Sequence, residues 1–301
     1  MPGAFLVAEE VRSALAGDVG VVALETSVIG QGLPAPRNWE CVERLSDAVR
    51  AAGAVPAWIG VMGGSVVVGL TQGQLRRFAE PGRASKVARR DYPVAVASGK
   101  MGATTVSATI WAAARAGIAI AATGGIGGVH PGDDPDVSAD LLELARTPGL
   151  LVCSGPKSII DPVATADRLE ELGVALVGYG VDRLPFFLAR EAPVDLEHRV
   201  ETPVEAAALA RAAVALDGRS TVLLCNPIPL EQAMDAREVT AAAHEAEARA
   251  EREGIHGKAR TPFLLAALAD LTDGRSLEAN LALLEDNARL AGSVAVATAR
   301  P

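Results

Sequence analysis

Short apolar runs alternate with helix-length amphipathic stretches along nearly all of the 301 residues, and this alternation restricts the fold more than any other feature. Residues 21–25 read as a buried strand, 38–52 as a helix, and 55–61 with 65–70 as a hairpin across Met62-Gly63-Gly64. Residues 94–97 read as a strand, 104–116 as a helix and 118–122 as a strand, followed by a glycine-rich turn and a helix from Ser138. Strands at 150–153, 174–177 and 221–225 alternate with helices at 162–172, 203–215 and 230–252. Helices at 262–271 and 277–297 end the pattern. Such alternation predicts an α/β fold with a largely parallel sheet covered on both faces. Ligands in these sheets sit at the carboxyl ends of strands. No linker or composition shift divides the chain, so residues 1–301 read as one domain.

Charge narrows the function classes. With 28 basic against 37 acidic residues and a net charge of −9, the chain lacks the basic face that nucleic acid or an anionic membrane needs. No apolar stretch reaches the roughly 18–20 residues of a spanning helix. Residues 1–10 lack the basic start and apolar run of a secretory signal. Cys41, Cys153 and Cys225 lie in apolar surroundings, as buried reduced thiols of a cytoplasmic protein do.

Only four of the 28 basic residues are lysine: Lys86, Lys100, Lys157 and Lys258. Arginine fills the other basic positions, yet lysine alone can lose its proton and act as a nucleophile. Lys157 follows an apolar strand on a Ser154-Gly155-Pro156 turn, where desolvation suits an imine-forming amine and a solvated loop lysine is the alternative. Glu25 ends the strand 21–25 and is followed by Thr26-Ser27. A carboxylate there is either a buried hydrogen-bonding anchor or an acid whose pKa partial burial raises.

After strand 118–122 comes Thr123-Gly124-Gly125-Ile126-Gly127-Gly128-Val129-His130. Four glycines in five residues suit either a backbone nest for phosphate or a tight turn. The spacing matches neither a dinucleotide fingerprint nor a Walker loop. Asp133, Asp134, Asp136 and Asp140 then put four carboxylates in eight residues. Their oxygen ligands suit a hard divalent cation. The same segment also offers Ser138 or Asp136 as a helix cap. The Ala/Glu/Arg-rich stretch 241–253 reads as a charged structural helix face. Together these groups point to an enzyme acting on a phosphorylated sugar or aldehyde, with a noncatalytic sugar-phosphate-binding protein as the alternative.

Longer motifs carry a resemblance. Ala23-Leu24-Glu25-Thr26-Ser27, Gly32-Leu33-Pro34, Pro36-Arg37-Asn38, Lys86-Val87-Ala88-Arg89-Arg90-Asp91 and the run from Thr123 to His130 belong to it. So do Asp136-Val137-Ser138-Ala139-Asp140, Lys157-Ser158-Ile159, Asn226-Pro227-Ile228-Pro229 and Thr261-Pro262-Phe263. In one register, from about Val21 to Ala291, the chain resembles the pseudouridine-5'-phosphate glycosidase family, also called indigoidine-synthase-A-like.

The resemblance implies a three-layer α/β/α fold, a homotrimer, a Mn²⁺ or Mg²⁺ ion, and reversible cleavage of the C–C glycosidic bond between uracil and ribose 5-phosphate. It implies Glu25 as proton donor and Lys157 as the imine-forming nucleophile. Lys86 is then a substrate lysine beside the phosphate, with His130 and Thr123 near it. Asp136 matches a metal ligand, and Ser138, Ala139 and Asp140 match a substrate-binding segment. Val106 and Asn280 match further substrate-contact positions. Relatives of the family run the reaction as C-glycosynthases or C-nucleoside synthases, joining ribose 5-phosphate to other acceptors. The chain departs from the commoner pattern at Glu25-Thr26-Ser27, at Met62-Gly63-Gly64, in the loop with Pro131, and near Leu188. It also carries Gly257-Lys258-Ala259-Arg260 where an acidic residue is usual.

Overall fold

The computed structural model describes residues 3–132, 136–216 and 218–299. Its strands are β1 (Phe5–Val7), β2 (Val21–Glu25), β3 (Val55–Met62), β4 (Ser65–Val68), β5 (Ser85–Val87), β6 (Gly102–Thr104), β7 (Ile120–Ala122), β8 (Gly149–Cys153), β9 (Leu176–Tyr179), β10 (His198–Val200) and β11 (Thr221–Cys225). Its helices are α1 (Glu9–Ala16), α2 (Arg37–Ala51), α3 (Gln72–Phe78), α4 (Tyr92–Ser98), α5 (Val106–Arg115), α6 (Ala139–Leu144), α7 (Pro162–Glu171), α8 (Pro203–Ala215), α9 (Ala236–Arg252), α10 (Arg260–Leu271) and α11 (Arg275–Ala299).

The strands form one sheet in the order β1-β4-β3-β2-β7-β8-β11-β9-β10, with β6 and β5 branching from β3. From β3 to β10 every neighbouring pair is parallel. The β3–β4 hairpin is antiparallel, as is the β3–β6 pair. Parallel strands buried on both faces alternate two apolar sides, and β2 does so: Val22 and Leu24 face one core, Val21 and Ala23 the other. Buried Leu45 and Val49 of α2, Ala206 and Ala210 of α8, and Leu284 and Ala291 of α11 cover the first face. Buried Val11 of α1, Ile110 of α5, Leu144 of α6 and Leu169 of α7 cover the second. This is the α/β/α arrangement expected. A smaller cluster joins Ile159 and Ile160 to α9 and α10. No helix among the described residues is long and apolar enough to cross a membrane.

From β2 the chain crosses through α2 to β3 on one side, while β7 pairs β2 on the other. The carboxyl ends of β2 and β7 therefore flank a topological switch point, where open α/β sheets bind ligands.

Residues 94–97 are not a strand but part of α4. A four-residue apolar run is ambiguous by periodicity alone, and the flanks decide. Pro93 occupies the first helical turn and Gly99 closes the helix at φ 67°. The predicted helix 230–252 starts instead at Ala236, where the Asp235 carboxylate accepts from the amides of Arg237 (2.9 Å) and Glu238 (3.1 Å). Residues 230–232 form a separate 3₁₀ turn.

Candidate active site

Glu25 is the last residue of β2 and is buried. Its carboxylate accepts from Ser27 Oγ at 2.5 Å and from Thr123 Oγ1 at the end of β7, across the switch point. Thr26 between them is fully buried; it donates to the Ile59 carbonyl (2.7 Å) and accepts from the Thr104 amide (2.9 Å). Thr26 thus fastens the end of β2 to β3 and β6, while Ser27 serves the carboxylate.

Lys157 is held by the glycine-rich run. Its amide donates to the Ile126 carbonyl (3.0 Å), and its Nζ donates to the Gly125 carbonyl. The turn before it requires glycine: Gly155 has φ +77°, and a Cβ there would lie 1.9 Å from the Pro185 carbonyl oxygen. Lys157 is half-buried, so the solvated-loop alternative does not describe it.

The glycine-rich run is a close-packed crossing whose Gly124, Gly125 and Gly127 also line the cavity described below. The amides of Ile126, Gly127 and Val129 are bonded to the Gly155 carbonyl (3.1 Å), Asp140 Oδ2 (3.0 Å) and Thr165 Oγ1 (3.0 Å). A Cβ on Gly125 would meet Phe187 at 2.7 Å, and one on Gly128 would meet Thr165 Oγ1 at 2.3 Å. The glycines are present because neighbouring chain comes so near.

Asp140 and Ser138 carry out the local construction. Asp140 Oδ1 accepts the Ser107 amide (2.9 Å) while Oδ2 takes Gly127, tying α5 to the glycine run. Ser138 caps α6 through the Asp140 amide (3.2 Å). Of the two capping alternatives, Ser138 is the one used. Ala139 lines the cavity beside them.

A cavity of about 250 Å³ gathers these groups. Glu25, Thr123, Lys157, Lys86, His130, Asp136, Ser138, Asp140 and Asn280 all line it. Its size suits a small metabolite, not a polymer. Lys86 lies on β5, and Asn280 is buried on α11. Val106 is the exception: its side chain is buried in the second core, and its neighbour Thr105 forms the wall instead. Residue type alone does not reveal which way the first turn of α5 faces.

Asp136 is exposed at the cavity edge, and its carboxylate has no ion pair or hydrogen bond with the described residues. Asp133 and Asp134 lie outside the described residues. Among the described residues no three carboxylate, histidine or cysteine groups converge as a metal cage. One free carboxylate is nonetheless the donor chemistry of a hard cation that keeps several waters.

Sequence reasoning passed over four residues. Arg90 lines the cavity with Lys86, and its place in the Lys86–Asp91 motif was the available signal. Gln31 lines it too; its Nε2 donates to the Ala84 carbonyl (2.7 Å), leaving buried Oε1 unpaired. Fully buried Asn287 on α11 donates to the Thr123 carbonyl (2.9 Å) and to Ser154 Oγ (3.0 Å), and accepts from Asn226 Nδ2 (3.0 Å). It ties the ends of β7, β8 and β11 together. Glu247, read as part of a charged surface, is buried against His130.

The sequence profile of indigoidine synthase A like proteins matches residues 10–297. A pseudouridine-5'-phosphate glycosidase of Herpetosiphon aurantiacus is 49% identical over 294 residues, 97% of each chain. One from Saccharopolyspora erythraea is 47% identical over 98% of each chain. Among solved structures, an indigoidine synthase A-like protein from Thermotoga maritima superposes with a TM-score of 0.90 at 37% identity, covering 99% of this chain and 97% of its own. The prealnumycin C-glycosynthase AlnA, in complex with ribulose 5-phosphate, also reaches 0.90, at 42% identity over 99% of this chain and 98% of its own.

Proposed function

We propose that this chain, which belongs to the indigoidine synthase A-like family, is an enzyme that reversibly breaks and forms the C–C glycosidic bond between ribose 5-phosphate and uracil. The observation that carries this reading is the convergence of Glu25, from the end of β2, and Lys157, from the end of β8, on one cavity.

The chemistry calls for that pair. Carbon is the leaving atom of a C-glycoside, so protonating a glycosidic oxygen, as two-carboxylate glycosidases do, cannot release it. Ring opening breaks the C1'–O4' bond, and Glu25 gives O4' its proton. The Lys157 amine adds at C1'. Its nitrogen lone pair then forms C=N as the C1'–carbon bond breaks, and the released ring carbon takes a proton. Water hydrolyses the imine, returning the aldehyde of ribose 5-phosphate and the free amine. Synthesis follows the same steps backwards. Lys86, Arg90 and His130 supply donors for the phosphate, and Asn280 a polar contact for the sugar or base. A hard divalent cation, Mn²⁺ or Mg²⁺, fits the free carboxylate of Asp136 and would supply positive charge for substrate oxygens. The homotrimer belongs to the same reading and is tested by sedimentation. Buried, unpaired Cys41, Cys153 and Cys225 support a reducing, cytoplasmic setting.

The specialised alternative, a C-glycosynthase with an aromatic acceptor, uses the same sugar chemistry. Identity of 47–49% to pseudouridine-5'-phosphate glycosidases, against 42% to the C-glycosynthase AlnA, supports the nucleobase.

The test is incubation with ribose 5-phosphate, Mn²⁺ and uracil, following product by mass and ultraviolet absorbance, with borohydride trapping mapped by peptide mass. The expected result is pseudouridine 5'-phosphate and a reduced sugar adduct on Lys157, absent from Lys157→Arg. A trapped adduct without uracil coupling selects the other acceptor class. Full activity in Lys157→Arg overturns the imine mechanism.

A further inference from the structure

Of the residues that α9 buries, Val239, Ala243, Ala246, Glu247 and Ala250, only Glu247 carries a charge. The other acids of this helix behave as a solvated face: Glu238 pairs with Arg275, and Glu245 with Arg249 and Arg252. Glu247 points the other way, beside the small cluster of Ile159, Ile160, Ala246 and Leu264. Each of its oxygens has its own partner. Oε2 accepts from Arg260 Nε (3.2 Å) and Nη2 (2.8 Å), and Oε1 faces His130 Nδ1 at 3.4 Å. Burial pushes this carboxyl up, and His130 and Arg260 together outweigh it, holding Glu247 below the usual carboxylate range.

A buried ion pair is seldom the most stable filling for such a position; packed apolar side chains often do as well or better. Stability is therefore weak grounds for this pair, which stands beside the cavity. The ring of His130 is buried and lines the cavity, and Nε2 has no partner among the described residues. With Nδ1 engaged, Nε2 is the ring nitrogen left for a ligand, as when a carboxylate fixes the orientation of an imidazole in other sites. Arg260 opens α10 immediately before Thr261 and Pro262, which also wall the cavity. It stands in the segment where the chain departs from the commoner family pattern.

We propose that Glu247 is a positioning residue of the active site: it holds the Nδ1 edge of His130 so that Nε2 meets the phosphate of the bound sugar, and Arg260 anchors Glu247. The identity of that ligand rests on the proposed function above. Arg260 also ties the α9–α10 connection to the same carboxylate, so one ion pair sets both the imidazole and the adjoining wall.

The test compares wild type, Glu247→Gln, His130→Asn and the double variant in steady-state C-ribosylation, with ribose 5-phosphate binding measured by calorimetry. Glu247→Gln is expected to raise KM and Kd for ribose 5-phosphate by about tenfold, with a smaller loss in kcat. In the His130→Asn background the same substitution should add less than about twofold, because the two residues act as one unit. Equal effects in both backgrounds, or an unchanged KM in Glu247→Gln, would overturn the assignment. Should Glu247→Gln fail to fold, Glu247→Leu combined with Arg260→Val removes the ion pair while keeping the apolar packing. That variant must show the same rise in KM, and a wild-type KM in it refutes the proposal. A wild-type chain that does not bind ribose 5-phosphate overturns this assignment and the functional reading together. An active wild type with an unchanged Glu247→Gln overturns this assignment alone.

Discussion

Replacing Asn287 by alanine removes a single fully buried side chain that joins three strand ends beneath the cavity. Two groups lose that partner at once: the Thr123 carbonyl and the Ser154 hydroxyl. Asn226 keeps a second contact, from its Nδ2 to Asp286 Oδ2 at 2.9 Å, so it contributes little to the loss. A buried polar group left unpaired costs about 1–3 kcal/mol, which makes the expected destabilisation about 4 kcal/mol. A chain of this size loses roughly 1.5–2 °C per kcal/mol, so the midpoint should fall by roughly 6–8 °C. Thr123 also donates to Glu25, so the damage should reach the reaction. Thermal melts by circular dichroism, with turnover measured well below the new midpoint, separate the two effects. The expectation is a lower Tm together with a reduced kcat in the molecules still folded. A Tm within about 2 °C of wild type would refute the reasoning, since water would then be satisfying both groups as well as the amide does.

Three further substitutions test other parts of the structure. Gly155→Ala combines a left-handed backbone with a Cβ 1.9 Å from the Pro185 carbonyl oxygen and should leave the Lys157 turn misplaced. Loss of borohydride trapping and of soluble yield checks it, and a normal yield with wild-type turnover would contradict the geometry. Glu25→Gln keeps the shape of the carboxyl and removes its acidic proton, while one of its two acceptor oxygens becomes a donor, so the Ser27 or Thr123 hydroxyl must reverse to meet it. It should retain ribose 5-phosphate binding by calorimetry and lose turnover, whereas unfolding on denaturant titration would make Glu25 a structural anchor. Gln31→Leu removes the bond from Nε2 to the Ala84 carbonyl (2.7 Å) together with the buried, unpaired Oε1, so one lost bond is offset by one unsatisfied acceptor removed and the Tm should stay within about 2 °C of wild type; a fall of more than about 5 °C in a thermal melt would contradict this.

The framework strands were legible because parallel sheets write themselves as short apolar runs. Strands 21–25 and 221–225 end where the pattern predicts, as does the helix 203–215. Runs of three residues gave no such signal, so β1, β5 and β6 were invisible until their partners were known. A cavity-lining residue was legible where its type is rare, as with Lys157 in a chain of four lysines. Glycine was ambiguous: the four glycines between Thr123 and His130 serve close approach, which depends on Phe187 and Thr165 arriving from elsewhere in the sequence. Asn287 and Glu247 carried no local signature at all. Each is an ordinary polar residue on a helix, and its importance lies in which face turns inward.

Helix α11 is the last element along the described chain, yet it supplies Asn280 and Leu284 to the cavity and Asn287 beneath it. Its backbone lies so close to Gly20, just before β2, that a Cβ there would fall 2.6 Å from the Ala295 carbonyl carbon. During synthesis, Glu25 and Lys157 therefore leave the ribosome well before the segment that steadies them. Folded units assemble as the chain emerges, and the candidate site is not walled until α11 docks. A half-made chain carries Glu25 and Lys157 but lacks the wall that α11 gives the cavity.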